Sequence, residues 1–180
     1  EQINAWWMEN RAQGFPSLLF AYSLGKAQRV IAGLDAQMGP IYVHGAVDEF
    51  MHIYANLGID LPVVEKVDRH LKRDYDGAMI VAPPAVEDSN WVKTFRGAKR
   101  GFASGWMAIR GARRRRNLDR GFVLSDHADW KGLIEVIEGT EAEEVLMTHG
   151  NGEPMVRYLD ERGVRAAVLT GASLRGEEEE

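Results

Sequence analysis

The chain has 180 residues, 45% hydrophobic and 27% charged, proportions that suit a globular protein with room for one or two small cores. It has no cysteine, which excludes disulfides and every cysteine-containing zinc site, so a metal would need histidine and carboxylate ligands. The formal charge of −5 owes much to Glu177–Glu180, which read as a solvated, disordered tail; the rest of the chain is close to neutral and has one dense basic stretch.

Ile3 to Glu9 reads as the body of a helix already under way. There is no initiator Met, and we expect an upstream part of the protein to precede it. Ser17 to Tyr22, after Gly14 and Pro16, is a short apolar run that reads as a buried strand. Ala27, Val30, Ile31 and Leu34 then recur at helical spacing. Ile41 to His44 is a second strand after Gly39-Pro40. Val47, Phe50, Met51, Tyr54 and Leu57 form a helical stripe stopped by Gly58. Ala78 to Ala82 is a third strand, ended by Pro83-Pro84. Asp88 to Phe95 suggests a short helix capped by Asp88 or Ser89. Gly101 to Ala108 reads as another strand.

The last third continues the alternation. Phe122 to Ser125 is a strand, and Trp130, Leu133, Ile134 and Ile137 make a helix face closed by Gly139. Val145 to Thr148 is a strand. Pro154, Met155, Val156 and Leu159 mark a helix ended near Gly163, and Ala166 to Leu169 is a final strand. Apolar strands alternating with amphipathic helices imply an α/β fold with a mostly parallel sheet. The arginine run at 113–116 is the expected seam between residues 1–112 and residues 113–180.

No run approaches the roughly 20 apolar residues of a membrane helix, and no secretory signal is visible. With the missing cysteines, this leads us to expect a cytoplasmic protein without a membrane partner.

Two histidines end apolar strands: His127 in Ser125-Asp126-His127-Ala128-Asp129-Trp130, and His149 in Leu146-Met147-Thr148-His149-Gly150. Open α/β sheets place their sites at such carboxyl ends. The two imidazoles can share a metal or proton-transfer site, or each can serve its own loop. Asp126 and Asp129 can bind a metal directly or orient His127 from behind. Asp129 can equally cap the helix that starts at Trp130. Gly25-Lys26 opens a helix after a strand, where backbone N–H groups can hold a phosphate, although no P-loop pattern is present and packing at the helix start is the favoured reading. Arg113, Arg114, Arg115 and Arg116 suit a nucleic-acid backbone or a solvated strand edge. Trp6, Trp7, Trp91, Trp106 and Trp130 can pack in the core or stack on bases; their apolar stripes favour the core. His44, His52 and His70 read as structural.

Taken in order, Phe20–Gln28, Ser125–Trp130 and Leu146–Gly150 resemble three motifs of the metallo-β-lactamase-fold nucleases that carry a β-CASP insertion. The segment Phe102-Ala103-Ser104-Gly105-Trp106-Met107, with Ser125–Trp130, is most similar to a bacterial subgroup of DNA-ligase-associated exonucleases. The resemblance implies a Rossmann-like β-CASP sheet with helices on both faces over residues 1–112. The closing strands and helices of a metallo-β-lactamase αββα fold would then follow over residues 113–180. It implies a DNA exonuclease in repair, associated with a DNA ligase and a helicase, or an RNA-processing nuclease of the same fold. His149 would be a ligand in a two-zinc site, and His127 a general acid for the leaving oxygen, with Asp126 and Asp129 beside it. Lys26 and Arg113–Arg116 would contact nucleic acid. The family's His-x-His-x-Asp-His metal motif does not occur in the chain. We therefore expect this to be the carboxyl-terminal part of a longer enzyme, inactive or poorly metallated in isolation. The other expectation is a non-catalytic module that binds nucleic acid or protein.

Overall fold

The structure is a computed structural model that describes residues 1–71, 73–109, 111, 117–148 and 150–169. The chain divides into two compact units, Glu1–Asp126 and His127–Glu180. The arginine run 113–116, where the sequence suggests a seam, lies outside the described residues.

The first unit is a six-stranded sheet in which every pairing is parallel. Its elements in chain order are α1 (Gln2–Ala12), β1 (Ser17–Phe20), α2 (Lys26–Ala32), β2 (Ile41–Val43), α3 (Gly45–Asn56), β3 (Glu65–Lys66), β4 (Met79–Ala82), β5 (Lys99–Ala103) and β6 (Arg120–Phe122). The spatial order is β3-β2-β4-β1-β5-β6. β1 and β4, in the middle, are buried at every position, which is why they read as unbroken apolar runs rather than alternating ones.

The connections dictate what covers each face. β1 to β2 and β2 to β3 step toward one edge through α2 and α3. Right-handed crossovers in one direction put their helices on one face. There Leu19, Val43, Met79, Val81 and Phe122 pack against Trp6 and Trp7 of α1, Val30 and Ile31 of α2, and Val47 of α3. The β4-to-β5 and β5-to-β6 connections step the opposite way and belong on the other face. That face, with Leu18, Phe20, Ile80 and Phe102, is covered by Trp91, Phe95, Tyr75 and Leu118 rather than by long helices. Short 3-10 turns, Pro84–Val86 and Val92–Thr94, carry the chain across it.

Two expected elements change form. The strand read over Gly101 to Ala108 ends at Ala103. Ser104 Oγ accepts the Trp106 amide at 3.3 Å and starts a 3-10 turn over Gly105–Ala108. A side-chain oxygen that bonds its own backbone two residues on competes with the sheet ladder. The helix read over Asp88 to Phe95 is reduced to turns. Ser89 Oγ accepts the Trp91 amide at 3.2 Å, and only Val92–Thr94 is helical, with 3-10 geometry. β3, two exposed residues, has no apolar signal from which to foresee it.

The second unit contains α4 (Trp130–Thr140), β7 (Glu144–Met147), α5 (Glu153–Asp160) and β8 (Arg165–Val168). β7 and β8 pair in parallel, Glu144 opposite Arg165 through Met147 opposite Val168. Ile134 of α4 and Met155 and Leu159 of α5 form a small core with Val145, Met147 and Ala166. Pro154 stands in the first turn of α5, where its missing N–H costs nothing. No helix among the described residues is long and apolar enough to cross a membrane.

Candidate functional site

The carboxyl end of the first sheet is where its loops converge. β1 sends its connection toward β2, and its neighbour β5 sends its own toward β6, so the two diverge. Such a switch point opens a crevice beyond the strand ends. The loops there are residues 21–25 after β1, 104–108 after β5 and 123–126 after β6.

The loop after β1 turns on Gly25. The Lys26 amide donates to the Leu24 carbonyl at 3.0 Å across a central residue with φ +79° and ψ −66°. This is a γ-turn with positive φ, a strained geometry that excludes nearly every residue but glycine. Gln28 Nε2 donates to the Ser23 carbonyl at 3.0 Å and fastens the turn to α2.

The turn drives Lys26 inward. Its side chain is 3% exposed, and its Nζ meets Asp126 Oδ1 at 2.8 Å. The same ammonium stands 4.9 Å from the centre of the Tyr22 ring. One turn along α2, Arg29 Nη1 donates to the Ser125 carbonyl at 2.8 Å. From the other side, the Ser104 amide donates to the Phe122 carbonyl at 3.0 Å. A Cβ placed on Gly105 would lie 3.4 Å from that of Ser125. The strap that leaves β6 is thus held by α2 and by the loop after β5. Burying an ammonium is costly unless a counter-charge meets it, and Asp126 supplies that charge.

The expected site residues fall as follows. Lys26, read as a phosphate contact, faces the Asp126 carboxylate rather than open solvent. Asp129 Oδ1 accepts the Gly132 amide at 2.8 Å and caps α4, which is the capping reading. His127 is exposed at the start of the second unit. His149 and Arg113–Arg116 lie outside the described residues. Among the described residues, no group of three or more histidines or carboxylates stands close enough to hold a metal ion. The described residues therefore do not by themselves fit a zinc ion.

Of the five tryptophans, Trp6, Trp7 and Trp91 are core residues, whereas Trp106 is 68% and Trp130 46% exposed, against the expectation of core packing. His44 is structural, as expected: its Nδ1 accepts the Ala46 amide at 3.0 Å and caps α3. Arg29 was not foreseen from the sequence. Its partner is a backbone carbonyl almost a hundred positions away, and no local pattern marks such a contact.

No family model matches the chain. Over 152 residues it is 32% identical to a protein of Opitutus terrae (strain DSM 11246 / JCM 15787 / PB90-1) described as a probable DNA ligase. The aligned stretch is 84% of this chain and 15% of that protein, so the chain spans a small fraction of its relative.

Proposed function

We propose that the chain belongs to a metal-dependent nuclease that hydrolyses phosphodiester bonds of DNA, an exonuclease working on ends that a ligase later joins. One observation supports this reading above the others. Two segments that resemble separate nuclease motifs, Phe20–Gln28 and Ser125–Trp130, are joined by the Lys26–Asp126 ion pair and the Arg29–Ser125 hydrogen bond. The relative's description as a probable DNA ligase points to DNA, but it belongs to a polypeptide of which this stretch matches 15%. A trimming step and a joining step act on the same strand ends, so the two activities suit one polypeptide.

In this reading His127 is the proton donor. Hydrolysis bonds a water oxygen to phosphorus, that water giving up a proton to solvent; as the bond between phosphorus and the leaving oxygen breaks, His127 gives a proton to that oxygen, which departs as a hydroxyl. Asp126 is engaged by Lys26, and Asp129 by the α4 cap. The first contact lies within the first unit and the second within the second, and a positioned acid is more effective than a free one. Two zinc ions belong to the proposal and would polarise the phosphate. His149 would be one ligand, with the remaining donors outside the described residues.

The test uses the full-length protein with matched DNA and RNA oligonucleotides, labelled at each end, with zinc present and after chelation. The expected result is zinc-dependent, end-directed cleavage of DNA, slowed by about 10²–10⁴-fold in His127→Ala. Cleavage of RNA in preference to DNA would move the substrate to RNA. Binding without cleavage would identify a non-catalytic module. Unchanged cleavage by the variant would remove His127 from the chemistry.

A further inference from the structure

Among the tryptophans and tyrosines of the first unit, Trp6, Trp7, Tyr42, Tyr75 and Trp91 are buried and Tyr54 is half-buried. Two differ: Tyr22 is 53% and Trp106 68% exposed. Exposed aromatics scattered over a surface call for no explanation. These two are not scattered. One stands in the loop that leaves β1 and the other in the loop that leaves β5, the two strands whose connections diverge at the switch point. Contacts within the unit tie both loops to one short segment. The centre of the Tyr22 ring lies 4.9 Å from Lys26 Nζ, which meets Asp126 Oδ1 at 2.8 Å. Gly105, next to Trp106, lies against Ser125, whose Cβ would be 3.4 Å from a Cβ added at Gly105. Arg29 reaches the same segment, at the Ser125 carbonyl.

We propose that Tyr22 and Trp106 stack on the bases of a single DNA strand, and that Arg29 takes its phosphate backbone. The inference rests on the reading of DNA as the substrate and does not depend on cleavage. Proteins that hold unpaired strands combine exposed aromatic faces with cations, since every base has a face to stack and every linkage a negative charge. A duplex hides those faces inside its own stack, so the two rings select an unpaired strand. Arg29 is exposed, and the side-chain bond it makes among the described residues goes to a carbonyl rather than a carboxylate, which leaves its charge to attract an anion. Both rings are set in advance. The Tyr22 carbonyl accepts the Ala27 amide at 2.9 Å, and its ring meets the buried Lys26 ammonium. The Trp106 amide donates to Ser104 Oγ at 3.3 Å, and its carbonyl accepts the Ile109 amide at 3.0 Å. A ring whose backbone is already ordered loses less freedom when a base stacks on it.

Equilibrium binding tests this on the full-length protein, with a fluorescent thymidine oligonucleotide of about twelve residues and with zinc chelated so that no strand is cut. Tyr22→Ala and Trp106→Ala should each weaken binding by roughly 5–100-fold, the worth of one stacked base. Tyr22→Phe and Trp106→Phe keep a flat π face and should stay within about threefold of the wild type. Tyr22→Leu and Trp106→Leu keep apolar bulk without that face and should bind like the alanine variants. Arg29→Gln should flatten the slope of log K against log salt by about 0.7, a slope that the ring variants leave unchanged. Both rings are exposed, so these substitutions spare the core. Alanine variants that bind as the wild type does, or leucine that serves as well as phenylalanine, would overturn the proposal; the rings would then be an apolar surface that another part of the protein covers. Tighter binding of a duplex, or of a matched uridine strand, would equally overturn it. A wild-type protein that binds the strand through these rings and never cuts it would refute the nuclease reading alone. One that cuts DNA with both rings replaced and its affinity unchanged would refute this proposal alone.

Discussion

Asp129 Oδ1 accepts the Gly132 amide at 2.8 Å, so the acid two places after His127 closes the amino end of α4. One carboxylate therefore has two candidate duties, helix cap and partner of an imidazole, and they respond differently to substitution. Asparagine caps as well as aspartate but lacks the charge. Asp129→Ala should cost about 1 kcal/mol of stability, and Asp129→Asn only a few tenths. Urea unfolding of the two variants checks this. Cleavage by Asp129→Asn then separates the duties: a slower rate at wild-type stability assigns the charge to His127, and an equal rate confines Asp129 to the cap.

His44 offers a pH dependence. Burial pushes its imidazole below the ordinary value of 6.5, the nearby Glu49 carboxylate opposes this, and Lys66 reinforces it. The ring also accepts the Ala46 amide at Nδ1, which needs that nitrogen unprotonated, and stands edge-on to Trp91 at 4.9 Å. With the folded value below the unfolded one, the unfolded chain binds more protons in the interval between them. Stability is therefore full above about pH 6.5 and declines as the pH falls toward the folded value, where it levels. One such group changes stability by at most about 1.4 kcal/mol per pH unit. His44→Asn keeps a capping acceptor and removes the titration. Its unfolding free energy between pH 5 and 8 should lose this component of the slope, and an identical slope would clear His44 of any part in it.

The alternation of apolar runs and helical stripes was enough to read the α/β class and nearly all the long elements, because burial is written into residue type. Leu18, Leu19, Ile80 and Val81 are fully buried and could scarcely be otherwise. Where polar side chains bond locally, the periodic signal misleads. Ser104 ends β5 early, and Ser89 turns an expected helix into bends. The candidate site was harder to read. The sequence marks Lys26 and Asp126 separately, one at a helix start that can hold a phosphate or pack, the other as a partner of histidine. Their pairing with each other depends on the sheet order, which puts the exits of β1 and β6 at the same carboxyl end with only β5 between them. Trp106 shows the same limit: an aromatic in an apolar context looks like core, and only the early end of β5 leaves it exposed.

Gly101 marks a tight helix-to-sheet contact. A Cβ there would lie 2.9 Å from the Trp6 ring, 3.1 Å from Leu19 Cδ1 and 3.2 Å from the Phe122 ring, and all three side chains are buried. None is a flexible end that can swing away, so Gly101→Ala should cost about 1–3 kcal/mol by overpacking. Gly139, near the end of α4, has nothing within 4 Å of such a Cβ. Gly139→Ala should therefore stabilise by up to about 1 kcal/mol through helix propensity. Denaturation midpoints that shift in opposite directions at unchanged m would bear out both, whereas a neutral Gly101→Ala would show that α1 yields to the added methyl.

The arginines at 113–116 are judged by charge alone, and charge has its own assay. An arginine that contacts a phosphate displaces a condensed counterion, and each such contact contributes about 0.7 to the slope of log K against log salt on single strands. Arg114→Ala with Arg116→Ala should therefore flatten that slope by about 1.4 and weaken binding most at low salt. If these residues instead guard a strand edge, affinity and slope stay as they were, and the double variant self-associates more readily because the repelling charge is gone. Fluorescence anisotropy with a labelled DNA strand over a salt series, beside light scattering of the protein alone, separates the two, since no mechanism makes the edge reading flatten a salt slope.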